Sequence, residues 1–256
     1  INAGAYMVWR YYIMKILMLD ASTYGEDVNL DKFYALGEVK SYSTSTREEA
    51  LKRVAEHNPD VVIINKIAAD KEFIDAAPAL KMIAETATGY NNIDIMYAKE
   101  KNIRVANVAG YSTDSVVQHT FALGLYLIEK MSCPIFSHFS NVFHELTGKT
   151  WGIVGLGTIG KGVAKIAADF GCKVIYYSAS GKTQNVPYER KELDEFLKES
   201  DIISIHAPLN EKTQNLFDAA AFDKMKTSAI LLNLGRGPIV NDTDLAEALA
   251  DGKIAA

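Results

Sequence analysis

Cysteine is scarce in this 256-residue sequence: Cys133 and Cys172 stand alone, far apart and in no metal-like spacing. That pattern excludes a disulfide-stapled scaffold and offers no metal site, and reduced thiols in a cytosolic protein are the economical reading. Charge of one sign is not concentrated either. The 27 Lys and Arg residues face 32 Asp and Glu residues, a formal net charge of −5 with no basic block, so nucleic acid is not an expected partner. No apolar run approaches the roughly 20 residues of a membrane span, so no membrane partner is expected. Repeats of solenoid period and low-complexity tracts are also lacking. Residues 1–13 show no clean signal-peptide cleavage pattern, and Met14-Lys15-Ile16-Leu17-Met18-Leu19-Asp20 reads as a natural start followed by a first strand. We therefore set residues 1–13 outside the fold.

What the sequence does have is a regular alternation of short apolar strands with amphipathic helices. Strands are predicted at 15–19, 61–64, 81–84 and 104–106, with helices at 47–56, 71–76 and 93–101. A long helix is expected over 115–129, apolar through Phe121, Leu123, Leu125 and Leu127, followed by an irregular polar stretch over 132–148. A second series then begins, with strands at 152–154, 173–177, 201–205 and 229–233 and helices at 159–170, 191–198 and 243–249. This rhythm predicts an α/β protein with parallel sheets covered by helices on both faces, in two domains with a cleft. The boundaries read as a first domain over 14–112, a linking helix and hinge over 113–148, and a second domain over 149–256.

The most specific local signal is Thr150-Trp151-Gly152-Ile153-Val154-Gly155-Leu156-Gly157-Thr158-Ile159-Gly160. An apolar strand runs into Gly-x-Gly-x-x-Gly, a helix opens, and a second strand over 173–177 closes a βαβ unit of about 30 residues. Gly155 suits a tight turn, Gly157 lets backbone approach a pyrophosphate, and Gly160 lets the helix pack close on the strand. The diphosphate then meets free N–H groups and the positive dipole end of the helix. Gly155, Gly157, Thr158, Ile159 and Gly160 are accordingly candidate dinucleotide-binding residues.

Four further ordered motifs carry a family resemblance. They are Thr88-Gly89-Tyr90-Asn91-Asn92-Ile93-Asp94, Val105-Ala106-Asn107-Val108-Ala109-Gly110-Tyr111, His206-Ala207-Pro208-Leu209 with Thr213, and Asn233-Leu234-Gly235-Arg236-Gly237-Pro238-Ile239-Val240-Asn241. From Met14 onward the chain resembles the D-isomer-specific 2-hydroxyacid dehydrogenases. The glycerate dehydrogenase (hydroxypyruvate reductase) branch is nearest, partly because Asn65-Lys66 follows the second strand. The resemblance implies two Rossmann/flavodoxin-like domains, the cofactor domain inserted in the substrate domain, in a cytoplasmic homodimer. It also implies hydride transfer between NAD(P)H and a small 2-keto acid such as hydroxypyruvate or glyoxylate. Arg236 would grip the substrate carboxylate and polarise the keto oxygen, a task suited to a planar, permanently charged fork. Backbone N–H groups of Thr88 and Gly89 would help hold the carboxylate, with Thr88 near the nicotinamide. Lys66 reads equally as a substrate contact or a solvated lysine. Thr113, Ala207, Pro208, Thr213, Leu234 and Gly235 match cofactor-lining positions, as does His206, read as a packing or hydrogen-bonding residue rather than a catalyst.

The sequence departs from the family in two ways. Members that prefer NAD carry an acid at the end of the second strand of the cofactor domain, which accepts the ribose hydroxyls. Here Tyr177 is followed by Ser178-Ala179-Ser180-Gly181-Lys182, with no acid and with groups able to bind a 2′-phosphate. Ser178 is therefore a candidate cofactor residue, and NADP, alone or alongside NAD, is expected. The family's general acid is a histidine oriented by a glutamate, both beyond the arginine motif, and none of His57, His119, His138, His144 and His206 has that context. Gly252-Lys253-Ile254-Ala255-Ala256 reads as a helix end leading into another buried strand. We accordingly expect the protein to continue past Ala256 into a strand, a glutamate-bearing loop and a catalytic histidine. The 131–145 stretch is also shorter than the family norm. A competing expectation of another class is a non-catalytic dinucleotide-sensing scaffold of the same fold.

The cofactor reading yields a test. Ser178→Asp introduces a carboxylate that repels a 2′-phosphate and accepts ribose hydroxyls. It should weaken NADPH binding and improve use of NADH in a steady-state comparison. A wild type that already prefers NADH strongly contradicts the serine-loop reading.

Overall fold

A computed structural model describes residues 13–25, 28–129 and 144–256. The chain divides into two compact units with the boundary between Tyr111 and Ser112. The first unit runs β1 (Met14–Met18), α1 (Asp31–Tyr34), β2 (Gly37–Ser41), α2 (Arg47–His57), β3 (Val61–Ile64), α3 (Lys71–Asp75), β4 (Met82–Glu85), α4 (Ile95–Glu100) and β5 (Arg104–Ala106). Its five-stranded parallel sheet has the order β2-β1-β3-β4-β5. The chain moves outward from β1 to β2 and then crosses to β3, so the crevice where loops diverge lies beyond the carboxyl ends of β1 and β3. Because side chains alternate across a strand, Leu17, Val62, Ile64 and Ile83 pack with Ala50, Val54, Phe73 and Ala98 on one face. Ile16, Met18 and Ile63 pack with Tyr24, Leu30 and Phe33 on the other.

The second unit runs α5 (Thr113–Ile128), β6 (Thr150–Val154), α6 (Thr158–Asp169), β7 (Lys173–Tyr177), β8 (Glu189–Arg190), α7 (Leu193–Glu199), β9 (Ile202–Ile205), α8 (Ala219–Phe222), β10 (Ile230–Asn233) and α9 (Asp242–Ala250). Its parallel sheet has the order β10-β9-β6-β7-β8, the Rossmann arrangement, with the switch point between β6 and β9. Trp151, Ile153, Val174, Tyr176 and Ile202 face α5 and α6, while Val154, Ile175, Ile203 and Ile205 face Phe196, Phe217 and Phe222. Trp151 is fully buried and donates from Nε1 to Ser204 Oγ at 2.9 Å. A Cβ on Gly152 would lie 2.3 Å from Ser200 Oγ and 2.8 Å from the Phe196 ring, so α7 lies tight against β6.

The same anchoring device occurs in both units. Asp60, just before β3, accepts the backbone N–H of Lys15 in β1 at 2.9 Å and pairs with Lys81 at 2.9 Å. Asp201, just before β9, accepts the N–H of Thr150 in β6 at 2.8 Å and pairs with Lys226 at 2.8 Å. Each aspartate fastens the amino end of its unit's first strand to that of its neighbour.

The expected α/β architecture with two parallel sheets is observed, and the differences are local. β2, β8, α1 and α8 were not foreseen. The two strands lie at sheet edges and are short or charged, and each of the two helices has four residues. The helix expected from residue 93 begins at Ile95, because the Asp94 carboxylate caps it through Tyr97 N–H at 2.9 Å. Along α5 the buried stripe is Val117, Thr120, Phe121, Gly124 and Ile128 at helical spacing, with Leu123, Leu125 and Leu127 only partly buried. Most of the expected 131–145 linker, with Cys133 and His138, lies outside the described residues, as do residues 1–12. Ile254 is buried, and residues 255 and 256 pair with 229–231 through Ala255 N–H to Ala229 O and Leu231 N–H to Ala256 O.

Ser204→Ala strands the buried indole N–H of Trp151 without enlarging any side chain. The expected loss is about 1–3 kcal/mol of stability, read as a lowered melting temperature. An unchanged melting temperature would show that the bond contributes nothing net.

Candidate functional site

In the second unit, three loops meet at the backbone of Ala207, which follows β9. Gly155 has φ +89°, and a Cβ there would stand 2.8 Å from the Ala207 N and Cα. A Cβ on Gly160 would fall 2.3 Å from Gly155 O, and one on Gly235 3.0 Å from Ala207 O. Gly157 faces open space. The three motif glycines therefore occupy three distinct environments: a positive-φ turn, an open position and a close approach to backbone.

The α6 N-terminus is unlike those of α2, α3, α4 and α9, which are capped by the side chains of Thr46, Asp70, Asp94 and Asn241. Its N-cap is Gly157, with no side-chain cap and no acid in the first turn. Among the described residues nothing accepts from the N–H groups of Thr158, Ile159 or Gly160. Such an end presents free donors and a positive dipole to an anion.

At the carboxyl end of β7, the 178–181 turn is closed by Gly181 N–H to Ser178 O at 2.9 Å, and the Ser178 and Ser180 hydroxyls lie 3.1 Å apart. Lys182 is exposed. Arg190, unremarked in the sequence, pairs in register with Tyr176, two residues before Ser178 on the same side of the sheet. Its guanidinium reaches Glu192 at 2.8 Å, while the buried Nε has no partner.

Arg236 is exposed just past β10. It donates from Nη1 to the Gly235 carbonyl at 3.0 Å and has no carboxylate partner among the described residues. The loop around it is held by Asn233, whose amide donates to Arg236 O and whose Oδ1 accepts from Gly235 N, both at 3.0 Å. Asn two residues before Gly is a legible signal for such a turn. Leu234 is half-buried against the core. His206 donates its backbone N–H to Val154 O at 2.8 Å, but neither ring nitrogen has a partner. Burial holds its pKa down to about 4, so the ring is neutral at neutral pH. Of the packing and hydrogen-bonding roles that the sequence offered, the ring shows only packing among the described residues. Pro208 O accepts the Thr213 hydroxyl at 2.7 Å, and that hydroxyl also accepts Asn210 N–H at 2.8 Å. Thr213 is 1 % exposed, and its hydroxyl staples the 208–213 loop. Thr113, half-buried, opens α5.

In the first unit, Lys66 follows β3 with an exposed side chain and no ion pair among the described residues. Thr88 donates from Oγ1 to Val108 O at 3.0 Å, and its carbonyl accepts Asn107 Nδ2 at 2.8 Å. The N–H groups of Thr88 and Gly89 donate to nothing among the described residues. The sequence reading missed the polar group beneath these loops: Asp20, Tyr24, Glu85 and Asn92. Burial raises the Glu85 carboxyl to about 7, a rise opposed by the Asn92 amide and reinforced by Asp20. An acid directly after an apolar strand was the available signal for Asp20.

No metal-binding cluster occurs among the described residues, and no described helix is long and apolar enough to cross a membrane. Cys172 is free and buried, and burial pushes its thiol up to about 11, which suits an inert core residue.

Comparison with known proteins bears on both units. Residues 130–256 match the family model described as D-isomer specific 2-hydroxyacid dehydrogenase, NAD binding domain. The hydroxypyruvate reductase of Blautia hydrogenotrophica is 36% identical over 267 aligned residues, covering 95% of this chain and 81% of that protein. The glyoxylate reductase of Thermococcus litoralis is 35% identical over 243, covering 88% and 73%. Among solved structures, an acyclic imino acid reductase in complex with NADPH and D-Arg superposes with TM-score 0.85 at 30% identity, covering 94% of this chain and 80% of that one. The D-lactate dehydrogenase of Aquifex aeolicus, complexed with NAD and lactic acid, gives 0.81 at 28% identity, covering 94% and 74%.

Proposed function

This chain belongs to the D-isomer-specific 2-hydroxyacid dehydrogenase family, and from that premise we propose that it reduces a small 2-keto acid, such as hydroxypyruvate or glyoxylate, with NAD(P)H. The observation that carries the reading is the Arg236 loop: an exposed guanidinium with no carboxylate partner, pinned by Asn233 and seated on Ala207 beside the glycine turn. A surface arginine retained for stability would be expected to hold a carboxylate. This one is left free to accept one. The scaffold alternative explains neither that free fork nor relatives named as reductases and dehydrogenases.

In the proposed reaction, bound NAD(P)H supplies the hydride. The free N–H groups of Thr158, Ile159 and Gly160 hold the diphosphate, with Gly157 leaving room for its approach. Arg236 binds the substrate carboxylate and stabilises negative charge on the keto oxygen as it develops. In the first unit, Lys66 and the N–H groups of Thr88 and Gly89 are assigned to the substrate carboxylate or hydroxyl. Ala207, Pro208, Leu234, Gly235 and Thr113 are assigned to lining the cofactor, and Thr213 to shaping that lining. His206 packs as a neutral ring and has no proton to give at neutral pH, so it is not the acid.

For the cofactor we favour NADP, alone or alongside NAD. The turn after β7 lacks a carboxylate, and Ser178, Ser180, Lys182 and the incompletely paired Arg190 are groups that a 2′-phosphate would engage. Relatives with NADPH and with NAD are both known, so the preference rests on these residues. We assign the protein, as its family implies, to the cytoplasm as a homodimer.

Arg236→Lys keeps the charge and loses the bidentate fork. The expected result is a fall in kcat/KM for 2-keto acids of roughly 100-fold or more, with little change in cofactor affinity. A panel of 2-keto acids assayed with NADH and NADPH provides the measurement, and near-normal turnover removes Arg236 from the mechanism.

A further inference from the structure

Beneath the proposed substrate loops of the first unit lies a buried polar group that the reaction does not use. Asp20, 5 % exposed, follows β1 and accepts the N–H groups of Asn65 (2.9 Å) and Lys66 (2.7 Å) on Oδ2, with a second contact from Asn65 to Oδ1 at 3.1 Å. Glu85, 1 % exposed, ends β4 and accepts Asn92 Nδ2 on Oε2 at 2.9 Å. The same Asn92 amide donates to Ile67 O at 2.9 Å and to Asn65 O at 3.2 Å. Residues 65–67 are thus gripped on both sides, their N–H groups by Asp20 and their carbonyls by Asn92. The Glu85–Asn92 bond also closes the loop that carries Thr88 and Gly89.

We propose that Asp20, Glu85 and Asn92 form a clamp that positions Lys66 and the Thr88-Gly89 turn for substrate, which makes Glu85 a positioning residue rather than a catalytic one. This rests on the assignment of Lys66, Thr88 and Gly89 to the substrate. The electrostatics say how the clamp is held. Asp20 accepts only N–H groups. The Glu85 Oε1 and the Tyr24 hydroxyl are both buried without partners. A second carboxylate charge here would sit in a poorly solvated place with one oxygen unpaired. The neutral form of Glu85 is thereby favoured, its carboxyl raised to about 7 by burial and by Asp20 against the pull of Asn92. The remaining titratable neighbour, Tyr24, is pushed above its usual range by burial, Asp20 and Glu85, and stays neutral. Its phenol adds no charge.

The sign of the pH effect follows. An unfolded glutamate ionises near 4.5 and the folded one near 7. Stability from the protonated clamp is complete below the lower value and is lost as pH rises through the upper one. Ionisation also loosens the two loops, so KM should rise while kcat, set by groups that touch the reacting atoms, changes less.

The experiment compares wild type with Glu85→Gln, an isostere of the protonated acid, from about pH 6 to about pH 8.5. It measures KM and kcat for a reduced 2-keto acid, and melting temperature without substrate. In the wild type, KM should climb about threefold or more and the melting temperature should fall relative to the variant. The variant's KM should stay flat. Parallel melting curves overturn the clamp whatever the enzyme does. Diverging melting curves with parallel KM profiles overturn its action on substrate. Absence of any 2-keto acid reduction overturns the proposed function instead, and the melting curves still decide whether the protonated clamp exists.

Discussion

The second unit depends on a contact between backbones. Gly155, Gly160 and Gly235 sit where a Cβ would fall within 3.0 Å of main-chain atoms, and two of the three abut Ala207. With no side chains between them, the strand end, the helix start and the arginine loop are placed by covalent geometry and hard-sphere contact rather than by adjustable rotamers. This closeness leaves the first N–H groups of α6 unshielded and seats the Arg236 loop beside the turn. Loosening any of the three contacts would move donors and guanidinium together.

Much of this was legible in the sequence because the relevant signals are local. Gly-x-Gly-x-x-Gly between an apolar strand and a helix states its own geometry, and the Lys173–Tyr177 strand has the bounds the sequence indicated. The unforeseen elements lack such signals. β2 is an exposed edge strand whose Gly-Glu-Val-Lys-Ser gives only one large apolar residue, and β8 is two charged residues held by β7. Thr213 shows what a motif alone leaves out. A motif position marks a place in the fold, but only the Asn210 and Pro208 contacts show that its hydroxyl is already committed.

The polar group of the first unit was illegible for another reason. Asp20 follows β1, Glu85 ends β4 and Asn92 lies in the loop after β4, so they meet only once the sheet order is set. Their burial cannot be read from spacing, since an acid after a strand is more often solvated. The two units also handle buried polarity differently. In the second, His206 is kept neutral by desolvation alone. In the first, two carboxyl groups divide the labour, Asp20 satisfied by backbone N–H groups and Glu85 displaced toward its neutral form.

Asp60 and Asp201 have a further consequence. Each fastens its sheet at the margin opposite the loops that follow the strands. Each sheet, taken by itself, is hemmed along one border and fringed along the other. Changes of length or chemistry in the fringe need not unpick the hem, so new specificities can be tried there without renegotiating the fold. A single aspartate in each sheet thereby widens the range of loop sequences that the scaffold tolerates, a property of evolvability rather than of the present reaction.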